Sequence, residues 1–189
     1  MRKLTVFNQV SLDGYFTAAK GDMSWAHKPD PEWDAFVADN AKNTGSALLF
    51  GRITYELMAS FWPTAEAKQR APEVAEGINL ATKIVFSRTL KEASWNNTRL
   101  FKSGLLDEVR SLKKAEGKPL TILGSGSLVS QLAEAGLIDE YHLAVNPLVL
   151  GKGKAMFDGL SKRISLRLMK TRAFENGNVL LSYELGPRS

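Results

Sequence analysis

Pro119-Leu120-Thr121-Ile122-Leu123-Gly124-Ser125-Gly126-Ser127-Leu128-Val129 is the stretch that decides the fold. Residues 119–123 make a short, nearly continuous apolar run, the pattern of a strand buried on both faces, and the glycines and serines stop it abruptly. Leu128, Val129, Leu132 and Ala135 then recur at helical spacing and form one apolar helix face. A doubly buried strand that turns through glycine straight into an amphipathic helix is the building unit of a parallel α/β sheet.

The same unit recurs on either side. Ala47-Leu48-Leu49-Phe50 is stopped by Gly51, and helical spacing resumes from Thr54 to Phe61. Lys83–Phe86 and Thr98–Phe101 predict two further strands, the second followed by a helix with Leu105, Val109 and Leu112 on one side. Pro63 to Ala71, polar and alanine-rich, reads as a loop or surface helix leading to the Lys83 strand. Earlier in the chain, Lys3 to Ser11 places Leu4, Val6 and Val10 on one strand face, and Asp13-Gly14 supplies a turn. Asp30-Pro31 reads as a cap and a first-turn proline, with Trp33, Phe36, Val37 and Ala41 at helical spacing.

Beyond residue 139 the period changes. Glu140–Asn146, Ile164–Ala173 and Asn178–Leu185 alternate with period two, and Glu175-Asn176-Gly177-Asn178 is a strong hairpin turn. The expected fold is α/β: a mixed, mostly parallel sheet of about eight strands, helices on both faces, and an antiparallel C-terminal hairpin. No linker or repeat divides the 189 residues, which predicts one domain over 1–189.

Composition narrows the function. The chain is 44% hydrophobic and 24% charged, with a formal net charge of +5, which favours anionic partners without choosing among them. There is no cysteine, so disulfides, thiolate metal ligands and cysteine nucleophiles are excluded. His27 and His142 stand apart from any carboxylate cluster of metal spacing, and no metal site is expected. No basic stripe interleaved with aromatics suggests nucleic-acid binding. With no apolar leader and no run of 18 apolar residues, a cytoplasmic protein with no membrane partner is expected.

In an open α/β sheet, ligands sit where strands end and helices begin, because backbone N–H groups and the helix dipole there favour negative charge. Two junctions fit. At Gly51-Arg52-Ile53-Thr54, glycine permits close backbone approach while Arg52 and Thr54 can bind phosphate oxygens; a tight turn with a surface arginine is the alternative. At Gly124-Ser125-Gly126-Ser127, small residues expose N–H groups at a helix start; ordinary capping by a serine is the alternative. Ser87-Arg88 closes a third strand and could grip a further phosphate, though an exposed arginine explains it equally. Three such turns after three strands suit one elongated dinucleotide.

In their order these motifs resemble the cofactor motifs of the dihydrofolate reductase superfamily. Val10-Ser11-Leu12-Asp13-Gly14 and Pro147-Leu148-Val149-Leu150-Gly151-Lys152-Gly153 resemble especially the reductase domain of riboflavin biosynthesis. The resemblance implies NADPH as cofactor, with Gly51, Arg52 and Thr54 at phosphate, Ser87 and Arg88 on the adenosine side, and Gly124, Ser125, Gly126 and Ser127 at the pyrophosphate. It implies Val10, Asp13 and Tyr15 on the nicotinamide and substrate side, and Asp34 as counterpart of the carboxylate that binds the pterin. Asp30 and Glu32 compete for that place, and a favourable first-turn acid is the plain alternative for Asp34.

The implied activity is hydride transfer to a planar nitrogen heterocycle, a pteridine or a 5-amino-6-(5-phosphoribosylamino)uracil-like pyrimidine. The alternative is a non-catalytic nucleotide-binding or regulatory module. The zinc-deaminase ligands often fused to such reductases are missing here. Edge strands at the C-terminus together with the resemblance suggest a homodimer. Lys152 and Lys154 could bind a substrate phosphate or simply be solvated, and Trp62 beside Pro63 hints at a pocket wall.

Overall fold

A computed structural model describes residues 1–43 and 45–187. Its main sheet has eight strands in the order β5-β4-β3-β6-β1-β7-β10-β9. They are β1 (Leu4–Ser11), β3 (Ala47–Gly51), β4 (Lys83–Phe86), β5 (Thr98–Phe101), β6 (Leu120–Leu123), β7 (Glu140–Asn146), β9 (Leu166–Ala173) and β10 (Val179–Leu185). β5, β4, β3, β6, β1 and β7 run parallel, and β10 is antiparallel to both β7 and β9. Two short strands, β2 (Tyr15–Thr17) and β8 (Lys154–Ala155), form a separate antiparallel ribbon that periodicity does not signal.

Helices α1 (Pro31–Asn43), α2 (Arg52–Phe61), α3 (Ala65–Arg70), α4 (Pro72–Leu80), α5 (Leu105–Lys114) and α6 (Gly126–Glu134) cover the sheet. On one face Leu4, Val6, Leu49, Ile84, Leu120 and Ile122 meet Val109 and Leu112 of α5 and Leu128, Val129 and Leu132 of α6. On the other, Leu48, Phe50 and Val85 pack against Tyr55 of α2 and Val74 and Ile78 of α4. Trp33 of α1 meets Phe174 edge-on at 5.0 Å and 88°, fastening α1 over the hairpin. Asp30 joins the same contact: its carboxylate accepts from Trp33 N at 2.8 Å, capping α1, and from Asn176 N at 2.7 Å in the hairpin turn.

α3 forms the surface helix expected within Pro63–Ala71, and α4 follows at Pro72–Leu80, where the sequence pattern suggests no element. α4 is hard to read because Gly77 interrupts its pattern. The glycine is needed there: a Cβ at Gly77 would lie 2.5 Å from the Ala41 carbonyl oxygen, so only glycine lets α1 and α4 approach so closely. Trp62 belongs to this packing and not to a ligand pocket; it lies against the second core cluster and its carbonyl accepts from Asn79 Nδ2 at 2.8 Å.

Lys83, at the start of β4, is fully buried. Its ammonium donates to the carbonyls of Asn79 at 2.6 Å and Ala81 at 2.9 Å, closing the C-terminal end of α4, and lies 4.5 Å from the centre of the Trp95 ring. Burial pushes its pKa down from 10.5 to about 8. Between these values the unfolded chain holds a proton that the folded protein has released, so this group's contribution to stability rises as pH rises from 8 to 10.5. Urea unfolding at the two ends of this range will therefore show a rise in the wild type that Lys83→Met lacks. Equal pH dependence in the two proteins would contradict this account.

Candidate functional site

The carboxy ends of β3, β4, β5 and β6 open onto one cleft of about 1100 Å3, closed on its far side by residues 16–21 and Met23 and by Lys152, Gly153 and Lys154. Gly51, Arg52, Thr54, Ser87, Arg88, Gly124, Ser125, Gly126 and Ser127 all line it. The three junctions found in the sequence thus converge in space, brought together by the adjacency of β4, β3 and β6 in the sheet.

Two of these junctions are bolted to each other. Gly51 N donates to Ser125 Oγ at 2.7 Å; Ser125 N and Ser125 Oγ both donate to Thr54 Oγ1 at 3.0 Å. Asn8, buried on β1, adds a two-way clamp: its Oδ1 accepts from Gly124 N at 2.6 Å and its Nδ2 donates to Gly124 O at 3.3 Å. The corner turns through two successive left-handed residues, Gly124 at φ 61° and Ser125 at φ 55°. A Cβ at Gly124 would lie 2.8 Å from Thr54 Cγ2, and one at Gly126 would lie 2.5 Å from the Phe16 ring. Left-handed backbone at a non-glycine residue is strained, and here the surrounding bonds hold it in place.

These bonds change what each residue offers. The hydroxyls of Thr54 and Ser125 are engaged in the clamp, and Ser87 Oγ accepts from Leu90 N at 2.9 Å, shaping its own turn. The Thr54 hydroxyl only accepts in this clamp, so its own proton is left for a ligand, together with backbone N–H groups in the first turns of α2 and α6, which have no intrahelical acceptor. Arg52 forms an exposed pair with Glu56 at 2.8 Å, whereas Arg88 is exposed. Phe86 and Phe101 stack at 5.4 Å and 22° in the cleft wall.

The charge of the cleft has one sign. Lys20, Arg52, Arg88, Lys102, Lys152 and Lys154 line it, with no Asp or Glu among the described lining residues. Sequence reading leaves out Asn8, Phe16, Lys20, Phe101 and Lys102. The end of the Thr98–Phe101 strand could have pointed to Phe101 and Lys102, but nothing local marks the others.

The residues expected on the substrate side are placed differently. Val10 is buried in the core. The Asp13 carboxylate accepts from Ser11 Oγ at 2.6 Å, Leu150 N at 3.1 Å and Gly151 N at 2.7 Å, tying the turn after β1 to the loop before β8. The Ser11 hydroxyl foremost, aided by these backbone donors, holds Asp13 below its ordinary carboxylate pKa. Tyr15 starts β2, whose Phe16 and Thr17 reach the cleft while Tyr15 itself does not line it. Asp34 lies exposed in the first turn of α1 outside the cleft, Asp30 caps that helix, and Glu32 pairs with Arg172 at 2.7 Å.

A larger crevice of about 1340 Å3 opens near the amino ends of β1 and β6, where Lys3, Glu140, His142 and Ser182 are among its walls. It receives none of the strand-to-helix junctions. Among the described residues no group of three His, Asp or Glu side chains is arranged to hold a metal ion, and no helix is long and apolar enough to cross a membrane.

Comparison with known proteins agrees with this architecture. The uncharacterized Bacillus subtilis protein YyaP is 32% identical over 183 residues, 96% of this chain and 94% of its own length. A second uncharacterized B. subtilis protein, YwjB, is 27% identical over 92% of both chains. A protein from Shewanella sp. PV-4 assigned to riboflavin biosynthesis has the same fold with a TM-score of 0.74 at 22% identity, over 99% of this chain and 100% of its own. The diaminohydroxyphosphoribosylaminopyrimidine deaminase/5-amino-6-(5-phosphoribosylamino)uracil reductase of Thermotoga maritima matches with a TM-score of 0.69 at 15% identity, over 98% of this chain but 57% of its own. The RibD C-terminal domain family matches residues 2–180. The chain therefore belongs to the RibD C-terminal domain family and has its dihydrofolate-reductase-like fold.

Proposed function

We propose that this protein is an NADPH-dependent reductase that delivers a hydride to a planar nitrogen heterocycle, a pteridine or a 5-amino-6-(5-phosphoribosylamino)uracil-like pyrimidine. One observation carries this: two strand-to-helix corners and the turn after β4 meet in a single cleft whose lining charges are all positive. Such a cleft concentrates a polyanion, because like charges on low-dielectric walls reinforce one field.

The residues present fit the cofactor. First-turn N–H groups at Arg52, Ile53, Gly126 and Ser127 suit the pyrophosphate, and the glycine cradle admits it where a Cβ would collide. Arg88, beyond β4, suits the adenosine 2′-phosphate, and the Phe86–Phe101 pair gives an apolar wall for a base. When bound, the reduced nicotinamide would supply the hydride and its electron pair to an electron-poor substrate carbon. The protein's part is positioning: Asn8 and Ser125 hold the glycine corner rigid, and residues 16–21 with Met23 limit access of water. With no carboxylate in the described lining and Asp34 outside it, the proton would come from water.

That same lack of a lining carboxylate favours a second reading, a nucleotide-binding module without catalysis. Turnover separates the two. Oxidation of NADPH with any member of a panel of pterins, pyrimidines and quinones identifies the enzyme, and binding with no oxidation identifies the module.

Titration with NADPH should give saturable energy transfer from the tryptophans at micromolar concentration. Arg88→Gln should lose about tenfold or more in NADPH affinity and little in NADH affinity, the size expected for one charge-assisted phosphate contact. Absence of a saturable signal in the wild type would remove the cofactor assignment.

The proposal includes a homodimer. β9 is one edge of the main sheet, and Leu168 and Met169 on it are exposed. Light scattering should then give twice the mass of one chain, and a single-chain mass would rule the dimer out.

A further inference from the structure

The geometry points to a second, hydrolytic site away from the cofactor cleft: Ser182, activated by His142 and Glu140, is the nucleophile toward a small carboxylic ester with an apolar acyl or aryl group. This inference stands apart from the NADPH reading, because the crevice that holds these residues and the cleft share no lining residue among those described.

Period-two alternation puts Glu140 and His142 of β7 on one face of the sheet, and the antiparallel register sets Ser182 of β10 directly opposite His142. Ser182 Oγ lies 3.1 Å from His142 Nδ1, and His142 Nε2 lies 3.4 Å from Glu140 Oε2. The other oxygen of Glu140 accepts from Lys3 Nζ at 2.5 Å, which fixes the direction of the carboxylate. An ionised carboxylate only accepts, so His142 donates from Nε2 and turns the lone pair of Nδ1 toward the Ser182 hydroxyl. Nucleophile, base and orienting acid are the three roles a hydrolytic triad needs, here with the two ring nitrogens exchanged.

A lone serine beside a histidine on a sheet would need no explanation. Here Lys3, Glu140, His142 and Ser182 all line one crevice of about 1340 Å3. An apolar wall adjoins them: Phe7 of β1 is the cross-strand neighbour of His142, Leu180 shares the face of Ser182, and Phe36 of α1 lies 6.3 Å from Phe7. On the other side of Ser182, its cross-strand partner on β9 is Lys170, a lining cation that favours negative charge on a substrate oxygen. The ladder breaks just past this pair, where Met169 is an extra residue in β9, and bulges of this kind re-aim side chains beside active sites. The His142 side chain keeps 28% of its surface exposed, so water and a small ester can reach it.

In the first step Ser182 Oγ bonds to the ester carbonyl carbon while its proton passes to His142 Nδ1. The bond from that carbon to the leaving oxygen then breaks, the alcohol departs with the proton from His142, and the acyl group stays on Ser182. Water attacks in the same way, giving its proton to His142, which returns it to Ser182 Oγ as the acid leaves. The sum is ester plus water to acid plus alcohol.

The test uses the full chain without added nucleotide, p-nitrophenyl acetate as substrate and a fluorophosphonate as covalent probe. The wild type should turn the ester over, and mass spectrometry should place the phosphonyl adduct on Ser182. Ser182→Ala and His142→Gln should each lower kcat/KM about a hundredfold or more, with the wild-type melting transition retained. Glu140→Gln, which keeps the size of the side chain and loses its charge, should lower kcat and leave KM unchanged, as a positioning residue does. No turnover by the wild type, equal rates in wild type and Ser182→Ala, or an adduct on another residue overturns the proposal. Should Ser182→Ala fail to fold, the position of the adduct on the wild type decides.

Discussion

The joint between Gly51, Thr54, Ser125 and Gly124, completed by Asn8, is the contact on which the cleft depends. It ties the ends of β3 and β6 to Asn8 in β1, just past the point where β6 stops pairing with its two neighbours, while β1 runs on beside β7 to Ser11. Without it, two glycine-bearing corners would be free to sample many conformations, and the helix starts that follow them would not share one opening. With it, a strained left-handed Ser125 is held in place, and the N-termini of α2 and α6 face a common space.

The electrostatics follow from that geometry. Several carboxylates are held away from the cleft, Asp13 by the loop before β8, Asp30 by the cap of α1 and Glu32 by Arg172, whereas Glu56 pairs with the lining Arg52. The result is a cleft whose lining lysines and arginines act in one direction, although the whole protein carries a modest net charge of +5. Net charge alone would not have distinguished this from an evenly basic surface.

Much of the architecture was legible because it is local. Buried parallel strands show as short apolar runs, as at Ala47–Phe50 and Leu120–Leu123, and glycine marks where each stops. α4 was not legible, since Gly77 answers to a neighbour more than thirty residues away at Ala41 and looks from sequence like a helix breaker. The β2–β8 ribbon was hidden for a similar reason: two or three residues are too few to show a period, and the pairing joins segments far apart in the chain.

Taken alone, the amino-acid sequence determined the strands of the main sheet, most of the helices between them and the three anion-suited corners, because periodicity and backbone freedom are properties of neighbouring residues. Only the tertiary structure decided which polar atoms remain free. Thr54, Ser87, Ser125 and Asp13 all look available in the sequence, yet each is engaged by the fold, while Asn8 gains its importance from its long-range partner Gly124. Hydrogen bonds saturate, so whether a group can serve a ligand depends on what else lies within about 3 Å of it, and that is settled by packing between distant segments.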